Sequence, residues 1–510
     1  MNRNRMVVLN GIIVATTTIL NAVLGMIEVS LFIKCYGSEI NGLIQTGNQV
    51  LNYVVLIESG LSAAFLFKMY KPIADDDNKL LSEYYVGFRT SMGRVVNIML
   101  CVAVASSAIY PFFIRKSTIP YLRMLAIFIL LSLKVILPYR ITIVPKYMII
   151  AKEQKYKAEF ISGITRGLTY ISEIFVLCAI IFFGCHIPVE MVLLTGVIIS
   201  LLDGMIFHFV MLKLYSSILD TNAEPNLTPN KMSKDILVHN LSRMVFSSTD
   251  NIIISTMGTL ESVTIYSSYN MVVGQVIELT QKFMDGVTAT LGIKIANEDE
   301  NSYDIFREML AGSYWLGGII SSVFVCMMNE FVSLWIGEKY CVNQVNLILF
   351  SMVLYCGVIL PCIQVARNAC GLYKESRNFT AAQAAVNLLI TIALVPKLGI
   401  MGALIGTVFA RIFITVPFNY RLVCNKVFSE SKTKWGELLI SYGLVIAVAF
   451  LNQQIISPVG MMIRNRIIRF IVKTIIVSII SLVIYTAYYY IIDSGFRNFT
   501  KRLLRIIKRR

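Results

Sequence analysis

Apolar runs recur along the chain at a nearly regular interval, covering roughly 6–33, 41–67, 92–114, 121–150, 157–183, 187–213, 236–257, 262–291, 308–328, 344–366, 378–396, 399–423, 437–456 and 467–492. Each is near the length of about 20 residues that a helix needs to cross the hydrocarbon core of a bilayer. Inside that core every backbone amide must find its partner within the protein, which selects helices for runs of this kind. The pattern predicts an all-α, polytopic membrane protein of about fourteen transmembrane helices. No gap between runs can hold a soluble domain; the longest, Leu214 to Asp235, reads as a linker. The N-terminal run has the length of a signal peptide, but no small-residue cleavage site follows it, so it is read as the first span.

The chain also repeats itself. "VILP" stands at 135–138 and again at 358–361, a shift of 223, and the same shift carries "KPIADDDN" at 71–78 onto "KIANEDEN" at 294–301. "KEQK" at 152–155 meets "KESR" at 374–377, and "YGS" at 36–38 meets "MGT" at 257–259. A duplicated six-helix unit follows, and an even helix count leaves both copies in one orientation. The boundaries predicted are a six-helix lobe over 1–214, a cytoplasmic linker over 215–235, a second six-helix lobe over 236–425, two extra spans within 426–495 and a basic tail over 496–510. Pro138 and Pro361 are expected to mark matching kinks.

Polar residues break into the apolar runs along single helix faces. Gln275, Glu278, Lys282 and Asp285 share a face at the three- and four-residue helical spacing. The equivalent face of the second span carries Gln45, Asn48 and Asn52; the first span carries Asn10, Thr17, Asn21 and Glu28; the seventh carries Asn240, Arg243, Ser247 and Asp250. An ionised group facing lipid costs at least about 2.5 kcal/mol, so such stripes turn to a wet cleft or to one another. For Glu278, Lys282 and Asp285, mutual neutralisation between packed helices stays open beside the cleft. Arg140, Arg367 and Arg411 are further intramembrane bases, and Arg166 with Glu173, seven apart on one helix, reads as an ion pair.

Composition agrees: 56 % of residues are hydrophobic and 15 % charged, with a mean hydropathy of +0.70, against about 25 % charged in soluble proteins. The formal net charge of +16 would suit nucleic acid, but its bases gather in alternate loops. By the positive-inside rule those loops and both termini are cytoplasmic; Arg115, Lys116, Arg464 and Arg466 are exceptions on the outer side. Ten cysteines lie scattered without CxxC spacing and three histidines form no ligand pattern, so neither a disulfide framework nor a metal site is predicted.

The run "YGSEINGLIQTGNQVLNYVVLIESGLSAAFLFKMYKPIADDD" at 36–77, with "LWIG" at 334–337, "NACGLYKES" at 368–376 and "GIMGALIGT" at 399–407, resembles the Wzx-type polysaccharide flippases of the multidrug/oligosaccharidyl-lipid/polysaccharide (MOP) exporter superfamily. The resemblance implies two six-helix lobes forming a V, two further C-terminal helices and a place in the bacterial cytoplasmic membrane. It also implies a transporter, not an enzyme, that moves an undecaprenyl-diphosphate-linked oligosaccharide from the inner to the outer leaflet by alternating access, coupled to H+ or Na+ and needing no other cofactor. Other membrane proteins of polysaccharide assembly are its expected partners. No residue role is carried over.

Such a substrate needs cations for its diphosphate and hydrogen-bonding groups for its sugars. Arg243 and Lys282, with Arg140, Arg367 and Arg411, are the candidates for the first task. Asn21, Gln45, Asn48, Asn52 and Gln275 suit the second. Glu28, Asp250, Glu278 and Asp285 are the candidate ion-coupling carboxylates. A drug/cation antiporter and a lipid II flippase are rival readings within the superfamily. A membrane glycosyltransferase or polymerase is the rival from another class, for which Asp75, Asp76 and Asp77 imitate a metal-binding DxD; the answering acidic loop "ANEDEN" favours a solvated turn instead.

Overall fold

A computed structural model describes residues 3–114, 116–152, 154–230, 249–296, 302–370, 372–428 and 436–508. Arg243 lies outside the described residues, as do the side chains of Asn10 and Asp285. The helices are α1 (Arg3–Ala74), α2 (Asn78–Ile109), α3 (Tyr121–Ile136), α4 (Tyr139–Ala151), α5 (Lys155–Phe183) and α6 (Val189–Tyr215). They continue with α7 (Asp250–Met257), α8 (Leu260–Ala296), α9 (Ser302–Trp335), α10 (Gln344–Ala369) and α11 (Tyr373–Leu398). The last are α12 (Ile400–Ala410), α13 (Val416–Lys426), α14 (Gly436–Met462), α15 (Arg466–Ile492) and α16 (Ser494–Lys508). The fold is all-α, and among the described residues 11 helical segments are long and apolar enough to cross a membrane.

Punctuation residues set the helix ends. Asp77 accepts the Leu80 amide at 3.0 Å and so caps α2, which gives one carboxylate of the acidic turn a structural task. Asn343 caps α10 and Asn465 caps α15 in the same way. The 72 residues of α1 are two spans end to end, broken at Gly37, whose φ of 84° only glycine adopts without strain. The repeat-related Gly258 ends α7, again with non-helical backbone. The two prolines differ: Pro138 separates α3 from α4, whereas α10 runs unbroken through Pro361. The residue four before Pro361, whose carbonyl a proline ring crowds, is Gly357; before Pro138 it is Lys134.

The chain divides into two compact units, Met1–Thr264 and Ile265–Arg510. In the first, α1 and α5 pack closely and α3, α4 and α6 complete the bundle. The start of the linker is docked: Asn226 donates to the Glu83 carbonyl at 3.0 Å and Arg89 to that of Thr221 at 3.1 Å. Ser38 and Asn41 meet Glu261 and Thr264, each pair 223 residues apart, the Asn41–Thr264 bond being buried at 3.1 Å. At Gly42 the backbone runs so near the Leu260 carbonyl that any Cβ would overlap it.

In the second unit α9 is the centre. Apart from one stripe, Val477, Ser481, Tyr485 and Tyr489 at four-residue spacing, the described residues of α15 are not fully buried. That stripe faces α9: Tyr485 shares a 2.9 Å hydrogen bond with Ser322, and Trp315 donates to Thr486 at 3.0 Å. Glu330 on α9 pairs with Lys473 at 2.9 Å and Arg469 at 3.4 Å, so two bases of α15 have a counter-charge on a neighbouring helix. Arg307 with Glu437 and Arg502 with Glu308 fix α14 and α16 at the opposite end of α9. Between α12 and α13, Arg411–Thr415 forms a π-turn, in which the Val416 amide reaches back five residues to the Arg411 carbonyl.

Replacing Gly42 by alanine is expected to cost about 1–3 kcal/mol by overpacking against backbone that cannot move aside. Gly443→Ala, where a Cβ meets open space, is expected to leave the unfolding midpoint in detergent unchanged. Equal midpoints for the two variants would refute the close approach.

Candidate functional site

The first unit encloses a polar interior within its helices. Lys134 of α3 donates to Glu173 of α5, whose side chain is 0 % exposed. Glu28 of α1, the helix packed against α5, is half-buried. Gly196 of α6 makes room for the pair, since a Cβ there would overlap Glu173 Oε1 and touch the Lys134 chain. Around the α3–α4 break a cavity of ≈ 320 Å³ opens beside this cluster, lined by Lys134, Pro138, Tyr139, Thr142, Lys146, Ser162, Thr165, Arg166, Thr169, Ser200 and Asp203 among others. Asp203 accepts from Thr165 at 2.6 Å and Lys146 donates to Ser162 at 3.0 Å. Ser62 donates to the buried Glu58, which belongs to the same unit.

Glu173 therefore takes Lys134 and not Arg166, as spacing along α5 suggested. The physical reason is distance: residues seven apart share a face but stand about 10 Å apart along the axis, while Lys134 of a neighbouring helix reaches Glu173 directly. Arg166 is exposed on the cavity wall.

The sequence-derived candidates fall into several settings. Asn21 is buried and donates to the Gly163 carbonyl at 3.0 Å, so its amide joins α1 to α5. Gln45 and Asn48 are half-buried and Asn52 exposed, its amide 3.4 Å from Gln49. Asp250 begins α7. Glu278 and Lys282 form a 2.6 Å ion pair one turn apart on α8, with Gln275 half-buried before them. Arg411, at the π-turn, donates to the Val353 carbonyl of α10 at 2.7 Å. Arg367 donates to Asn419 at 2.9 Å and Asn368 at 3.0 Å; Arg140 is exposed, 3.3 Å from Asn97. Lys134, Glu173 and Asp203 were not among the candidates. The signal for Lys134 was present, a lone lysine inside "LLSLKVILP".

This arrangement is chemically suited to moving charge. Ionisable groups held away from water and paired across helices respond to one proton or one cation with a change in which helices are tied together. Removing one member of a buried pair costs about 3–5 kcal/mol, because the other is left uncompensated. Lys134→Met is expected to lower the thermal unfolding midpoint accordingly, and Lys134→Met/Glu173→Met to recover much of the loss. A single variant as stable as the parent would show that the pair contributes nothing.

No family model and no curated protein matches the chain. Solved structures do. A lipid II flippase, MurJ, in an inward closed conformation matches with a TM-score of 0.68 at 14 % identity, covering 94 % of this chain and 99 % of that one. An inward-facing multidrug resistance MATE transporter of the MOP superfamily gives 0.61 at 10 %, covering 83 % and 100 %. A MOP superfamily transporter from Pyrococcus furiosus gives 0.52 at 11 %, covering 84 % and 96 %. The protein is thus a multi-pass membrane protein with the helical fold shared by a lipid II flippase and the transporters of the MOP superfamily.

Proposed function

We propose that this protein flips an undecaprenyl-diphosphate-linked oligosaccharide from the inner to the outer leaflet of a bacterial cytoplasmic membrane, for cell-surface polysaccharide synthesis, by alternating access coupled to an ion gradient. The observation that carries the reading is the likeness to a lipid II flippase over nearly the whole of both chains. A multidrug transporter is fully used up over 83 % of this chain. The remainder is room enough for α14–α16, which are tied to α9 by ion pairs and not loosely appended.

The chemistry of the task fits the polar residues. An anionic diphosphate calls for Arg243 and Lys282, with Arg140, Arg367 and Arg411 in support. Sugar hydroxyls call for amides such as Gln45, Asn48, Asn52 and Gln275. In the resting pairings described above, Lys282 is held by Glu278 and Arg411 by a backbone carbonyl. Binding a diphosphate means exchanging those partners for phosphate oxygens. Glu28, Asp250, Glu278 and Asp285 remain the candidate coupling carboxylates.

The test is reconstitution into liposomes with a fluorescent lipid-linked oligosaccharide, following headgroup accessibility to an external quencher. Arg243→Ala/Lys282→Ala is expected to slow leaflet exchange at least tenfold, about 1.4 kcal/mol, and to abolish surface polysaccharide in cells at unchanged expression. Wild-type export from that variant would overturn the role of these bases. Exchange of lipid II alone, or of a cationic drug alone, would move the assignment to the corresponding relative. Turnover of a sugar nucleotide would instead make the protein an enzyme.

A further inference from the structure

We infer that α16 is a docking surface for the headgroups of anionic phospholipids, in the leaflet at which α15 ends. The segment 494–510, "SGFRNFTKRLLRIIKRR", carries seven bases and no acid. In its sequence Phe496, Phe499, Leu503 and Ile506 recur at three- and four-residue spacing, and Arg497, Lys501, Arg505 and Lys508 recur likewise on the opposite side of the helical wheel. The apolar side of the first turns is already in use. Phe496 is buried, its ring 5.8 Å from that of Trp315 and 5.9 Å from that of Tyr489. Phe499 lies over Gly312, where a Cβ would stand 3.2 Å from its ring, and Arg502 pairs with Glu308 at 3.0 Å. With that side seated on α9, these turns have charge, not apolar surface, to offer a membrane.

Position supplies the partner. Tyr488, Tyr489 and Tyr490 cluster near the end of α15, as tyrosines do at a membrane interface, and the exposed Tyr490, Ile491 and Ile492 run up to the break at Asp493. Arg497 donates to the carbonyls of Tyr490 and Ile491 at 3.2 and 2.9 Å and so closes the end of α15. Trp315 meets both Thr486 of α15 and Phe496 of α16, so α16 folds back beside the end of α15 instead of pointing away from it. Lys501 is exposed and makes no hydrogen bond or ion pair among the described residues. Bases held at this level stand within reach of the headgroup layer, whose negative potential is felt over about 8 Å at physiological salt. A nucleic acid would meet the same charge, but only lipid is kept at this place by the bilayer itself.

This property goes beyond the transport reading and holds whatever the cargo is. The test is hydrogen–deuterium exchange of the full chain, without cargo, in nanodiscs of phosphatidylcholine alone or with phosphatidylglycerol mixed in. Headgroups that bridge the bases hold the helix closed, so peptides covering α16 are expected to exchange at least about fivefold more slowly when phosphatidylglycerol is present. High salt should erase that difference, because the attraction is between exposed charges. Lys501→Gln/Arg505→Gln/Lys508→Gln should erase it as well while leaving exchange in α9 unchanged, since Phe496, Phe499 and Arg502 still seat the helix. Equal exchange of α16 in the two kinds of disc, or a difference that survives the triple substitution, would overturn the proposal. So would protection by RNA in neutral discs with none from phosphatidylglycerol, which would assign the face to a soluble polyanion. Should the triple variant loosen α9, the parent decides alone: protection by phosphatidylglycerol that is the same at low and high salt would also overturn the proposal.

Discussion

An ionisable side chain within the hydrocarbon thickness of a membrane must be paired inside the protein, and both units are organised around meeting that demand. In the first, a lysine on α3 and a carboxylate on α5 tie two helices together. In the second, Glu330 gathers Arg469 and Lys473, and Glu308 and Glu437 take the bases of α16 and α9. Such pairs contribute little net stability over apolar packing, but a broken pair is expensive. Their effect is to specify which helices are neighbours. That matters in lipid, where apolar contact alone discriminates poorly between partners.

The two copies of the repeat spend this device differently. The first copy holds its charge deep in the bundle, bounded by hydroxyls and a glycine. The second carries a local pair, Glu278 and Lys282, on one turn of α8, with both side chains partly accessible. Duplication preserved the glycine breaks at Gly37 and Gly258 while the chemistry diverged.

Much of the fold was legible because its signals are local. Each span is a run that lipid selects, the repeat survives in loops and turn glycines, and the cap at Asp77 sits where the acidic turn ends. The interior was less legible for a definite reason. Lys134 and Glu173 are 39 residues apart on different helices, and nothing in either helix's own periodicity names the other. Spacing along α5 offered Arg166 as the partner, and tertiary geometry overrode it. Asn21 illustrates the same limit: its face was identified from spacing, while its partner, the Gly163 carbonyl, depends on how α5 passes. The matched prolines show that a repeated residue need not repeat its effect.

The π-turn at Arg411–Thr415 has a consequence for everything after it. Inserting one extra residue into a helix turns the following segment by about 100°. Asn419, which receives Arg367, and Tyr420, which receives Arg307 at 3.4 Å, owe their directions to that offset. In an uninterrupted helix the same two side chains would look elsewhere, with every residue of α13 unchanged. The contacts at this end of the second unit are therefore encoded by a count of residues as much as by their identities, and losing one residue from 411–415 would act there as a rotation of the whole segment.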